Sequence, residues 1–477
     1  MEISACQGRS LVPVAAYGLA PAGTSSSEHR TWVRLEGATH GPSGCNEGLV
    51  AARRGTAVQT PDSNEGINEL DEGSTTPVRA ATIRTRGHVP RVLAGIGIYM
   101  LVAGMVQSLV AIRGNDLRLG GFALGIAVAF GSAAIGAITD LPFGLYADVR
   151  GCPGLVEAGF VGAAGGCVAL LMPGTAMFFL GAVLFGVSSS AIGNSLLAWL
   201  TFAAPSEDQP RVQGLNGSLQ RVGTLLAAGL VGAALAVQWP GLLALAGLVA
   251  SAVALSMLRR PGRELRRPLM PARRAGPLRS ALQKVPPALR LFRSHGIRMA
   301  AASSLGINTV LLATNAYLPL VKGSHRALIV ASSLASRDIV AIAVASFVTL
   351  RGLQVARGGY LAASLFLQAA SLALCGKLLG SFWVIALSGV AGSGVGIGIP
   401  ICNLFTIKAS SPAERTVGMA VGILPTRLLV FGLPLSVSPL LTAFGLARVF
   451  EVFGLVLAVV ACYVVVDIRH ERVLATS

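Results

Sequence analysis

From Arg91 onward the chain alternates between long apolar stretches and short polar breaks. A helix crossing a hydrocarbon core about 30 Å thick needs about 20 mostly apolar residues. Stretches of that kind lie at Val92 to Ile112, Gly121 to Leu145, Leu155 to Met172, Ala176 to Thr201, Val212 to Val237 and Leu242 to Leu258. A second set lies at Met299 to Val321, Ala327 to Leu350, Gly359 to Leu374, Phe382 to Phe405, Thr416 to Thr442 and Val449 to Val466. The pattern predicts an all-α integral membrane protein: residues 91–258 and 299–470 each form a six-helix bundle, joined by a linker at 259–298 and followed by a short tail at 471–477. Residues 1–90 are rich in Gly, Ser, Thr, Pro and acids, with no sustained helical or alternating period. They read as a disordered cytoplasmic tail, or as the product of a start assigned too far upstream.

Composition agrees with a membrane solvent. The 477 residues are 53% hydrophobic and 12% charged, where soluble domains carry about 25% charge. The 58 glycines suit helices that must approach closely where lipid offers no hydrophobic drive for association. A formal charge of +17 would suggest nucleic acid in a soluble protein, but its location excludes that partner here. From Arg259 to Arg298 there are 12 Lys or Arg against one acid, Glu264. Excess base in the loops of one side marks the cytoplasmic face. The seven cysteines form no CxxC pair, and no His sits in a metal-ligand spacing. No metal or other cofactor is therefore expected, and "GSGVGIG" at Gly392 to Gly398 reads as helix packing rather than a dinucleotide loop.

Two segments about 204 residues apart show the internal repeat expected of two like-oriented halves. "RVQGLNGSLQR", Arg211 to Arg221, corresponds to "RTVGMAVGILPTR", Arg415 to Arg427, and each follows Pro and acids at the start of the fifth helix of its half. "PFGLYADVRG", at the end of the second helix, resembles the loop motif of the major facilitator superfamily, commonly Gly-x-x-x-Asp-Arg-x-Gly-Arg. Gly144, Asp148 and Gly151 match it, whereas Val149 takes the usual Arg place, Arg150 stands one residue later and Cys152 replaces a base. The resemblance extends to "YLPL" at Tyr317 to Leu320 and to the Gly-rich tenth helix ending in Pro400. It implies twelve helices in two pseudo-symmetric bundles. It also implies a conformational gate at Gly144, Asp148, Arg150 and Gly151, latched against the helix start near Arg415 to Gly418. The fourth helix has Ala182 where many family antiporters carry Arg.

Ionisable groups inside apolar helices cost several kcal/mol unless they face a cavity or a partner, so each is a functional hypothesis. Asp140, Arg221, Arg337, Asp338 and Arg427 are such groups. The alternative is buried ion pairing that fixes helix packing, with Asp140 or Asp338 as the acid. Uncharged polar residues extend the same path: Gln107, Asn194, Asn216, Gln220, Asn308, Asn315, Tyr317 and Asn403. Asn216 and Gln220 share one helix face by their spacing.

These features predict a secondary transporter that moves a small solute by alternating access. The expected setting is a multi-pass monomer in the cell inner membrane, with both termini cytoplasmic and the lipid bilayer as its main partner. With no GxxxxGK[ST] motif for ATP, an ion gradient is the expected energy source, with protons carried by Asp140 or Asp338. Three deep Arg against two deep Asp lean toward an anionic organic solute. A drug or metabolite exporter, or a transport-dead sensor on the same scaffold, is the alternative. An enzyme would need a convergent His, Cys, Ser or carboxylate constellation, and the sequence offers none.

Overall fold

A computed structural model describes residues 89–132, 135–203, 208–264, 290–351, 358–409 and 415–476. The predicted N-terminal tail up to residue 88 and most of the predicted basic linker lie outside the described residues. Twelve of the described segments are long and apolar enough to cross a membrane. The N-terminal half contains α1 (Val89–Asp116), α2 (Gly121–Gly131), α3 (Gly136–Arg150), α4 (Cys152–Leu171), α5 (Thr175–Ala203), α6 (Gln209–Ala236) and α7 (Gly241–Glu264). The C-terminal half contains α8 (His295–Leu312), α9 (Arg326–Arg351), α10 (Gly358–Lys377), α11 (Trp383–Ala409), α12 (Arg415–Phe444) and α13 (Leu446–Thr476).

The second span is divided between α2 and α3, with turns at Ser132 and Ile135 between them. The seventh span is also irregular: α8 passes into a π-helical turn at Ala313–Tyr317 and a 3-10 turn at Leu318–Leu320. Pro319 explains the second irregularity. Its ring lacks an N–H and crowds the carbonyl four residues earlier, that of Asn315. The Asn315 carbonyl instead accepts a hydrogen bond from the Ser108 hydroxyl of α1 at 2.8 Å. Membrane helices tolerate such breaks where a neighbouring side chain takes up the released backbone group. Three predicted boundaries shift most: α7 continues to Glu264 and α8 begins at His295, so helix enters the predicted 259–298 linker from both ends, and α13 runs to Thr476 through the predicted 471–477 tail.

Within each half, helices pack at backbone distance through glycine. A Cβ on Gly223 of α6 would lie 2.1 Å from the Gly97 carbonyl oxygen of α1. One on Gly392 of α11 would lie 2.1 Å from the Arg337 carbonyl oxygen of α9. The halves meet along two seams, α6 against α9 and α2 with α3 against α12. These seams pair the fifth span with the eighth and the second with the eleventh, as a parallel repeat about an axis along the membrane normal requires. Gly151, with φ of 88°, makes the single-residue link between α3 and α4, a backbone conformation that a side chain would strain.

Candidate substrate site between the two halves

A cavity of about 190 Å³ lies between the halves. Gln107 of α1, Asn194 of α5 and Asn216, Gln220 and Arg221 of α6 line it from one half. Asn308 of α8, Asn315 of the π turn, Asn403 of α11 and Arg427 of α12 line it from the other. Ile96, Ile307, Leu311 and Ile399 fill the wall between these polar groups. Along α6 the amides form a ladder: Asn216 Nδ2 donates to Gln213 Oε1 at 3.3 Å and Gln220 Nε2 donates to Asn216 Oδ1 at 3.2 Å. Spacings of three and four residues put all three on one face. Asn403 Nδ2 reaches across from α11 to Gln213 Oε1 at 3.0 Å, joining the halves near the start of α6.

Two charge clusters flank the cavity, and each spans both halves. On one seam Arg427 Nε of α12 donates to Asp140 Oδ2 of α3 at 2.8 Å, and Asp140 is 2% exposed. The other Asp140 oxygen accepts from Ser190 of α5, and Thr139 Oγ1 donates to Ser190 Oγ at 2.9 Å. Gly136 leaves room for this pair, because a Cβ there would sit 2.6 Å from Arg427 Nε.

On the other seam Asp338 of α9 faces two arginines. Arg337 Nε donates to Asp338 Oδ1 at 3.0 Å and Arg337 Nη2 to Asp338 Oδ2 at 2.7 Å. Arg337 Nη1 donates to Asn315 Oδ1 at 2.7 Å and to the Thr314 hydroxyl, and Asn315 Nδ2 donates to Gln107 Oε1 at 3.0 Å. Arg221 Nη1 of α6 comes only within 3.9 Å of Asp338 Oδ1. Arg221 is 1% exposed, and its Nε and Nη1 have no hydrogen-bond partner within the protein. Ser132 Oγ, Asn194 Nδ2 and Thr426 Oγ1, from other lining residues, are likewise buried without a partner. An unsatisfied buried polar group costs about 1–3 kcal/mol, so the cavity wall is set up to gain from a polar guest.

This arrangement of two six-span halves has known counterparts. Residues 92–421 match the sequence model of the Major Facilitator Superfamily. The chain belongs to the Major Facilitator Superfamily. It is a multi-pass membrane transporter of that superfamily, as its twelve membrane-length helices require. Solved structures share the fold, two POT family transporters among them. One is a POT family transporter crystallised with a thioalcohol-conjugated peptide, with TM-score 0.62 and 14% identity over 80% of this chain and 96% of that one. The other is a POT family transporter with 5-aminolevulinic acid, with TM-score 0.61 and 15% identity over the same shares, 80% and 96%. Among curated proteins no relative matches the chain.

Within this superfamily fold, the residues that sequence reasoning picked out divide into three groups. Gln107, Asn194, Asn216, Gln220, Arg221, Asn308, Asn315, Asn403 and Arg427 line the cavity. Asp140, Arg337 and Asp338 stand behind it, each bonded to a lining residue or within 4 Å of one. Tyr317 stands apart, fully buried and hydrogen-bonded to Ser438 at 2.9 Å. Of the expected gate, Gly144 is buried in α3 and Gly151 caps that helix. The side chains of Asp148 and Arg150 lie outside the described residues, as do those from Arg415 to Gly418 on the expected partner helix.

Sequence reasoning missed Tyr99, Ser189, Ser190, Gln213 and Thr426. Tyr99 OH and Ser189 Oγ share a hydrogen bond, and both residues line the cavity. The run Ser188-Ser189-Ser190 inside an apolar helix was a readable signal, and Gln213 stands one turn before Asn216.

Proposed function

We propose that the chain is a secondary active transporter that moves a small organic anion by alternating access of its two halves, with protons as the coupling ion. One observation carries this reading. Arg221 and Arg427, from corresponding helices of the two halves, both line one cavity between the halves. A solute anion held between them touches both halves, so its binding stabilises arrangements in which both arginines reach it. That differential affinity is what shifts a population between access states.

The link to protons runs through Asp140. Its carboxylate accepts Arg427 Nε from the opposite half, so a proton on Asp140 removes the charge that holds this seam. Solute and proton then act on the same guanidinium. Asp148, with Gly144, Arg150 and Gly151, is assigned as the latch of one access state. The protein is assigned as a monomer in the cell inner membrane with cytoplasmic termini.

The test is uptake into proteoliposomes that contain the purified full-length chain, using labelled small carboxylates alongside cationic and neutral drugs. The expected result is carboxylate accumulation driven by an inside-alkaline gradient and abolished by a protonophore. Asp140→Asn, reconstituted at an amount of folded protein equal to wild type, should leave gradient-independent exchange and remove accumulation. Uptake restricted to cations or neutral drugs, or accumulation indifferent to the gradient, would contradict the assignment.

A further inference from the structure

Arg221 and Arg427 hold corresponding places in the repeat, yet their acids are used differently. Asp140 is preceded by Thr139, which bonds Ser190 and leaves Asp140 Oδ2 to Arg427. Asp338 is preceded by Arg337, whose guanidinium takes both carboxylate oxygens. A two-point guanidinium–carboxylate contact is the strong form of this pairing. Arg221 is left at 3.9 Å from Asp338, without a hydrogen bond on Nε or Nη1, in the wall of the cavity. Among the described residues its charged neighbours are Asp338 and Arg337, so the cluster of two arginines and one aspartate carries an uncompensated positive charge.

Such a cluster would be cheaper without Arg337. Asp338 could then close on Arg221, and each charge would have one partner, as at Asp140 and Arg427. Arg337 is bonded to Asn315 and Thr314, and the absence of a side chain on Gly392 lets α11 pack against its backbone carbonyl. It is not among the cavity-lining residues.

Resting on the anionic reading above, we propose that Arg337 is a positioning residue that occupies Asp338 and so keeps Arg221 available to anchor a compact monocarboxylate. A planar carboxylate matches a guanidinium that lacks hydrogen-bond partners. A single negative charge neutralises the cluster, whereas a dicarboxylate would leave a buried excess of the opposite sign. The cavity of about 190 Å³ is smaller than the roughly 300–1,000 Å³ of pockets for drug-sized ligands. Ile307 and Leu311 offer contact to a short carbon body, and Gln220 and Asn308 offer hydrogen bonds to a polar substituent.

The test is calorimetric titration of the full-length chain in lipid nanodiscs with sodium acetate, lactate and benzoate, against sodium chloride. At least one carboxylate should bind the wild type, and Arg221→Gln should weaken it by about tenfold or more. Arg337→Gln should weaken it in the same direction, because Asp338 turns to Arg221. The double variant Arg337→Gln with Asp338→Asn should recover affinity to about threefold of wild type, since Arg221 again has no acid to meet. A merely structural role for Arg337 instead lowers the folded fraction and thermal stability of Arg337→Gln while the affinity of the protein that does fold, read from the same titration, stays at the wild-type value. Should Arg337→Gln fail to fold, Arg337→Lys carries the same test, because a point charge on one carboxylate oxygen leaves the other to Arg221 and still weakens binding. Weakened binding in Arg221→Gln with unchanged binding in the Arg337 variants, or no recovery in the double variant, overturns the positioning role and leaves the anion site standing. Unchanged binding in Arg221→Gln, or no carboxylate bound by the wild type, overturns the anion site itself.

Discussion

Each buried arginine at this site has its energy set by a few neighbouring side chains. Arg427 and Asp140 neutralise one another across the seam, and removing one partner of such a pair costs about 3–5 kcal/mol because the other is left buried and charged. Arg427→Gln should therefore lower the yield of folded protein, measured as the monodisperse fraction of a fluorescent fusion on size exclusion. Adding Asp140→Asn should restore that yield without restoring transport, since the solute-facing cation stays absent. Normal yield in Arg427→Gln alone would show that the pair contributes little to folding. The five charged residues were legible in the sequence because charge inside an apolar stretch stands out. Their pairing was not. Arg337 and Asp338 are adjacent, and adjacent residues on a helix do not normally face each other; only the structure shows the guanidinium turned back onto the carboxylate.

At the scale of elements, what decides function is where helices break and where they touch by backbone. The spans were legible from hydropathy and length, within a few residues at most ends. The break in the seventh span was not foreseen, although Pro319 was there to read; the displaced Asn315 carbonyl and its Ser108 donor depend on the neighbouring α1 and could not be read from local sequence. The same holds for the interruption between α2 and α3. Glycines signalled close packing without saying against what. Gly125 of α2 turns out to face α12 of the other half, where a Cβ would lie 2.5 Å from the Pro434 carbonyl oxygen. That contact joins the halves rather than building one of them. Gly125→Val should consequently leave folded yield and thermal stability near wild type while reducing transport several-fold, because the access state that closes this end is blocked. Stability measured in detergent alongside proteoliposome uptake separates the two effects. A large stability loss would mean that the contact is structural.

For the whole molecule, the repeat in the sequence foretold two like halves, and the α6–α9 and α2/α3–α12 seams are what that repeat builds. The polar groups that line the cavity come from both halves, so a solute in it must move with the relative motion of the halves. A carrier of this kind exchanges solute across the membrane without any gradient of energy, which an enzyme, a sensor or a gated pore does not do in the same stoichiometric way. Counterflow measures this directly. Proteoliposomes holding the full-length chain and loaded with an unlabelled small carboxylate are diluted into a trace of the same compound in labelled form, with no pH difference. The account predicts a transient accumulation of label above equilibrium for the wild type and none for Arg221→Gln reconstituted in equal amount. Simple equilibration of label in the wild type, or full counterflow in Arg221→Gln, would contradict it.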